Sequence, residues 1–127
     1  MLQLDTPALI AALCGSRLEQ SALRRRIDEG EPIFLSTPVL DEWLRGPHKT
    51  EELKVQEDLF PGSLAIPFGA DEAEIAASIY RKLKRPRGRQ GNIAITACAI
   101  THKAKLWTLN PEDFRDIPSL ELASDNH

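Results

Sequence analysis

The stretch LQLDTPALIAALC, residues 2–14, decides the fold. An apolar entry at residues 2–5 leads into Thr6-Pro7, which reads as a helix N-cap followed by proline at the first helical position. There the missing N–H of proline costs no helical hydrogen bond and its fixed φ suits the turn. A helix from Pro7 to Cys14 follows. The same order of strand, cap, proline and helix returns in IFLSTPVLDEWLRG at residues 33–46, with Ile33 to Leu35 as the strand and Ser36-Thr37-Pro38 as the helix start. Two strands that each hand over at once to a helix predict parallel strands joined by helical crossovers.

Outward from these two segments, Leu18 to Ile27 has helical periodicity, with Arg24-Arg25-Arg26 near its end, where the helix dipole favours cations, and a stop near Gly30. Gly46-Pro47 closes the helix that starts after Ser36, a polar helix covers Thr50 to Leu59, and Leu64 to Phe68 is a third candidate strand. Asp71-Glu72-Ala73-Glu74 resembles a capping box opening a helix with Ile75, Ile79, Tyr80 and Leu83 on one face. Lys84 to Gly91 reads as a basic loop broken by Pro86, Gly88 and Gly91, and Asn92 opens an apolar helix to about Lys103. Leu106 to Thr108 is a fourth strand. Asn110-Pro111-Glu112-Asp113 caps a short helical turn, a weak strand lies near Leu120 to Leu122, and the tail Ser124 to His127 is expected to fray. The alternation predicts a three-layer α/β/α sandwich around a mainly parallel central sheet.

The chain has 127 residues, 42% of them hydrophobic, which suits one domain with one core. No run approaches the roughly 18 apolar residues of a membrane span, and the N-terminus lacks a secretory layout, so a cytoplasmic location without membrane contact is expected. Cys14 and Cys98 stand in apolar segments without metal-type spacing and read as small buried hydrophobes, not as a disulfide. The net charge of −3 excludes little, because it averages basic and acidic regions. No Gly-rich strand-to-helix loop is present to cradle a nucleotide phosphate.

In open α/β sheets, ligands bind beyond the carboxyl ends of the strands. Asp5 ends the first strand, Asn110 and Asp113 follow the fourth, and Glu42 lies about one helical turn beyond the cap after the second. Carboxylates gathered at one edge repel unless a cation neutralises them, and without a His/Cys cluster beside them they favour Mg2+ or Mn2+ over zinc. Each residue also has a plain structural role open to it. Asp5 suits a helix start, Glu42 a solvated helix face, and Asp113 a capping turn with Asn110.

Four blocks, LDTPALI at 4–10, LSTPVLDEWLRG at 35–46, NIAITACAI at 92–100 and LWTLNPEDF at 106–114, occur in the order of the PIN-domain family and resemble most the VapC-type toxins of type II toxin–antitoxin systems. The likeness runs over nearly the whole chain, through IYRKLKR and DIPSLEL. It implies a metal-dependent endoribonuclease in which Asp5, Glu42 and Asp113 take the acidic metal-binding positions, with Thr6, Thr108 and Asn110 as supporting polar groups. The metal would acidify a bound water for attack on a phosphodiester and stabilise charge on the phosphate. The resemblance also implies a small antitoxin protein, a basic side chain of which could enter the acidic pocket, and a homodimer.

One position departs from the family pattern. Asn92 stands where the third block normally opens with aspartate, so it offers a carbonyl oxygen but no charge. Three readings stay open: a weakened or inactive member, an active one that works with three acids, and a change introduced to suppress toxicity. Asn92 also suits a plain helix N-cap. The rival function is a catalytically impaired PIN-like module that binds RNA or protein without cutting. For RNA, Lys82, Lys84, Arg85, Arg87 and Arg89, with Arg81, form a basic cluster fitted to phosphates, or else a solvated loop. Trp43 and Tyr80 have helical spacing and suit core or dimer packing better than base stacking.

Overall fold

The computed structural model describes residues 1–123; the tail expectation for 124–127 lies outside them. Strand β1 (Leu2–Leu4) runs into α1 (Thr6–Cys14), followed by α2 (Arg17–Asp28), β2 (Ile33–Phe34), α3 (Thr37–Arg45) and α4 (Thr50–Leu59). A 3-10 turn (Gly62–Leu64) leads to α5 (Ala70–Lys82), α6 (Gln90–Thr101), β3 (Lys105–Trp107) and a last 3-10 turn (Pro111–Asp113).

The sheet has the order β2-β1-β3 and both pairings are parallel, with Leu2 opposite Ile33 and Lys105, and Leu4 opposite Trp107. β1 is therefore the central strand and is wholly buried. Successive side chains on a strand face opposite ways. Gln3 donates through Nε2 to the Cys98 carbonyl of α6 at 3.2 Å, so α6 covers one face. Leu2 and Leu4 point to the other face and are also 0% exposed. Both faces are covered, as a parallel sheet requires, and the expected α/β sandwich results.

The helix starts differ from expectation by one residue. Asp5 and Ser36 are the caps, and Thr6 and Thr37 already belong to the helices. The Asp5 carboxylate accepts from the Ala8 N–H at 2.9 Å and the Ser36 hydroxyl from Val39 N–H, so each proline falls one position later. Helix α5 is capped at Gly69, whose N–H donates to Glu72 at 2.9 Å, not at Asp71. Ile79 and Leu83 are buried in the core, whereas Tyr80, expected on the same face, is exposed.

The third candidate strand shrinks to one bridge, Ser36 with Ile66, because a 3-10 turn takes Leu64 and Pro67 has no N–H to extend a ladder. Leu120 to Leu122 likewise contributes a single bridge, Leu106 with Leu122. Helix α6 starts at Gln90, which places Asn92 inside its first turn and corrects its reading as the cap. The turn closed by Arg89 N–H on the Pro86 carbonyl brings the chain into helical geometry before Gly91, so that glycine continues the helix. Helix α6 then ends at Thr101, short of Lys103, which adopts a positive φ of 54°. Among the described residues no helix is long and apolar enough to cross a membrane.

Candidate active site

The carboxyl ends of β1 and β3 lie side by side, because Asp5 N–H extends the ladder to the Trp107 carbonyl at 3.1 Å. This register sets Asp5 next to Thr108, whose hydroxyl donates to Asp5 Oδ2 at 2.5 Å. The same hydroxyl accepts from the Asn110 N–H at 3.0 Å, so its one proton is directed to the carboxylate. Asp5 Oδ1 accepts the capping bond from Ala8. Asp5 is 2% exposed, yet each of its oxygens keeps a second lone pair. The helix-start and ligand readings of Asp5 are thus compatible.

Glu42 is held from two sides. The Thr6 hydroxyl donates to its Oε1. Its Oε2 lies against Gly91, where an added Cβ would stand 3.3 Å away. Glycine in the first turn of α6 therefore lets that helix approach the carboxylate, and Asn92, the next residue, is half-buried. Glu42 is not a solvated helix glutamate.

Asp113 sits in the turn after β3 and is exposed. Its backbone N–H donates to the Asn110 carbonyl at 3.0 Å, with no side-chain cap from Asn110. Its carbonyl accepts from Arg89 Nη2 at 2.9 Å. Arg89 also grips Asp116 through two bonds of 2.8 and 2.7 Å, and holds that carboxyl below the usual range. Arg89 thus ties the entrance of α6 to the Asp113 turn. Lys82, Lys84, Arg85 and Arg87, which precede Arg89 in the chain, are exposed.

Burial pushes the Asp5 carboxyl up; its bonds from Thr108 and Ala8 oppose this, and the charges of Glu42 and Asp113 push it up further. The charges of Glu42 and Asp113 therefore reach Asp5 across the edge. Among the described residues the oxygens of these three carboxylates do not all come within 4.8 Å of one another. The candidate donor set at this edge, Asp5 bonded by Thr108, Glu42 bonded by Thr6, and Asp113 whose charge acts on Asp5, offers oxygen only. It suits a hard dication such as Mg2+ or Mn2+.

Other residues carry no local signal in the sequence. Arg89 and Asp116 are 27 positions apart, and Gly91 reads as a loop breaker until Glu42 is seen against it. Trp43 is buried, donating to Gln56 at 3.2 Å, and is closed to bases. Cys98 is buried as expected, but Cys14 is half-buried and meets His48 and Glu52.

The comparisons with known proteins agree with this architecture. A family model described as PIN domain matches residues 3–120. A curated protein of Rickettsia bellii (strain RML369-C), named Ribonuclease VapC, is 41% identical over 59 residues, which span 45% of this chain and 44% of that relative. The match thus covers less than half the relative's length. Among solved structures, VapBC2 from Rickettsia felis bound to a promoter DNA fragment is similar at a TM-score of 0.75 and 24% identity, over 96% of both chains. DNA-bound VapBC from Salmonella typhimurium is similar at 0.79 and 20%, over 98% of this chain and 97% of that one. A toxin–antitoxin complex from Klebsiella pneumoniae is similar at 0.72 and 25%, over 98% of each.

Proposed function

The chain belongs to the PIN-domain family, and from that premise we propose that it is a divalent-metal-dependent endoribonuclease, the toxin of a VapBC-type pair. One observation carries the reading: Asp5, buried at the end of the central strand, is oriented by Thr108 and faces the charges of Glu42 and Asp113. A buried carboxylate among like charges is unfavourable, and a bound cation relieves it where a proton otherwise would.

In this reading Asp5, Glu42 and Asp113 hold Mg2+ or Mn2+, with Asn92 as a neutral oxygen donor. Once bound, the ion supplies positive charge against the phosphate oxygens and a more acidic water. The protein's own groups position the site. Thr108 and Thr6 fix the Asp5 and Glu42 carboxylates, and Arg89 fixes the Asp113 turn. Lys82, Lys84, Arg85 and Arg87 draw the RNA backbone to the edge through salt-sensitive attraction. Arg89, occupied by Asp116, braces the site instead of gripping RNA.

The kinship with toxin–antitoxin complexes supports an antitoxin partner. A groove lined by Ala8, Ala11, Leu18, Ala22 and Leu109 offers it an apolar berth, and a basic side chain reaching Asp5 would compete with the metal. The apolar patch of Phe68, Ala76, Tyr80 and Ile93 supports a homodimer through α5 and α6.

The rival, an RNA- or protein-binding module that does not cut, is favoured by Asn92, which lowers the negative charge available to a metal. The test is cleavage of structured RNAs in Mg2+ or Mn2+ by the chain as it stands, by Asn92→Asp, and by Asn92→Asp with Asp5→Ala. Cleavage by Asn92→Asp that Asp5→Ala abolishes supports the ribonuclease. Folded, metal-loaded protein that binds RNA and never cuts it turns the reading to the rival.

A further inference from the structure

A second cluster of ligand-bearing side chains lies beyond the carboxylate edge. Cys14 ends α1, His48 stands in the turn between α3 and α4, and Glu52 is in the first turn of α4. Their ligand atoms, one from each residue, all fall within 4.8 Å of one another. Three segments that are separate in sequence thus bring one sulfur, one imidazole nitrogen and one carboxylate oxygen to a point.

His48 is held as a ligand would be. Its ring stacks on buried Trp43 with centroids 3.6 Å apart and planes at 21°. Its side chain is only 8% exposed, with Nδ1 turned to Glu52 Oε1 at 3.6 Å. That distance is too long for a hydrogen bond, and Nε2 is buried without a partner. Nε2 is thus left unsatisfied within the protein, which is uncommon for a buried polar group. The ring position also depends on Gly46, since a Cβ there would lie 2.8 Å from Nε2. Tetrahedral zinc with ordinary bond lengths separates its ligands by about 3.3–3.6 Å, and His48 Nδ1 and Glu52 Oε1 already stand 3.6 Å apart.

We propose that Cys14, His48 and Glu52 form a binding site for Zn2+, built from other side chains than the carboxylate edge that it adjoins at Glu42 and different from it in metal preference. A thiolate with an imidazole favours a borderline-soft ion, whereas the edge offers only oxygen. Three protein ligands leave a fourth position open, and the cavity in front of them is also walled by Ile10 and Glu42. Zn2+ bound there cross-links the end of α1 to the turn before α4. The inference does not depend on the ribonuclease reading.

The test uses the full chain, reduced and stripped of metal, titrated with Co2+ as a spectroscopic probe and then with Zn2+. One equivalent of Co2+ is expected to produce a thiolate-to-cobalt charge-transfer band that Zn2+ displaces and excess Mg2+ does not. Cys14→Ser is expected to abolish the band and His48→Gln to weaken binding at least tenfold, while Asp5→Asn and Cys98→Ser keep it. In the unaltered chain Zn2+ is expected to slow alkylation of Cys14 at least tenfold, a readout that needs no substitution. Absence of the band, its survival in Cys14→Ser, or unchanged alkylation with Zn2+ overturns the proposal.

Discussion

Glu42 and Gly91 meet so closely that a Cβ on residue 91 would stand 3.3 Å from Glu42 Oε2. The contact opposes two preferences. Alanine improves a helix by up to about 1 kcal/mol over glycine, but here it presses on a carboxylate whose other oxygen is held by Thr6. Gly91→Ala is therefore expected to change unfolding free energy by no more than about 1 kcal/mol while lowering RNA cleavage by the Asn92→Asp chain roughly tenfold or more. Denaturant melts and initial rates on the same preparations separate the two effects, and equal rates would remove Gly91 from the site.

Thr108→Val keeps the shape and removes the hydroxyl that serves both Asp5 and the Asn110 N–H. A loss of about 1.5–3 kcal/mol in stability is expected, because the bond goes to a buried carboxyl. Without it the Asp5 carboxyl is expected to hold its proton to higher pH, which NMR titration of that carboxyl can follow. An unaltered titration would mean that the bond does not orient Asp5.

Burial and the charges of Glu42 and Asp113 raise the Asp5 carboxyl above its unfolded-state value. The folded chain therefore keeps that proton longer than the unfolded chain does. The stability this confers is full below the unfolded value and is lost as pH rises through the folded one. Asp5→Asn is accordingly expected to gain stability relative to the unaltered chain between about pH 4 and neutrality. Thermal melts in chelator across that range check it, and a constant difference would show that Asp5 carries no such strain.

Arg89 and its basic neighbours should separate by salt. Removing Lys84, Arg85 or Arg87, which are exposed, is expected to weaken RNA binding and reduce its logarithmic salt slope by about 1 each. Arg89→Ala should instead leave that slope unchanged and lower cleavage by freeing the Asp113 turn. Binding isotherms at several salt concentrations discriminate these roles.

Much of the architecture was legible locally. α4 covers Thr50–Leu59 as read, and β1, α1, α2 and α3 fall within a residue or two of expectation. The boundary at Asn92 was misplaced because Gly91 looks like a breaker, whereas the close approach of Glu42 favours a glycine inside the helix. The strand expected at Leu64 to Phe68 failed against the missing N–H of Pro67 and the 3-10 turn before it.

The sequence by itself determined the order of elements, the parallel crossovers and the placing of Asp5 and Asp113 after strands and of Glu42 within the helix that follows the second strand. Caps, prolines and apolar periodicity act within a few residues, so their consequences can be read without knowing what lies opposite. Only the tertiary structure decided that Thr108, 103 positions from Asp5, donates to it, that Arg89 serves Asp113 and Asp116, and that Cys14 meets His48 and Glu52. These contacts depend on how helices and strands remote in sequence bury their apolar faces together. That packing sets the direction of each polar side chain, and no local pattern carries it.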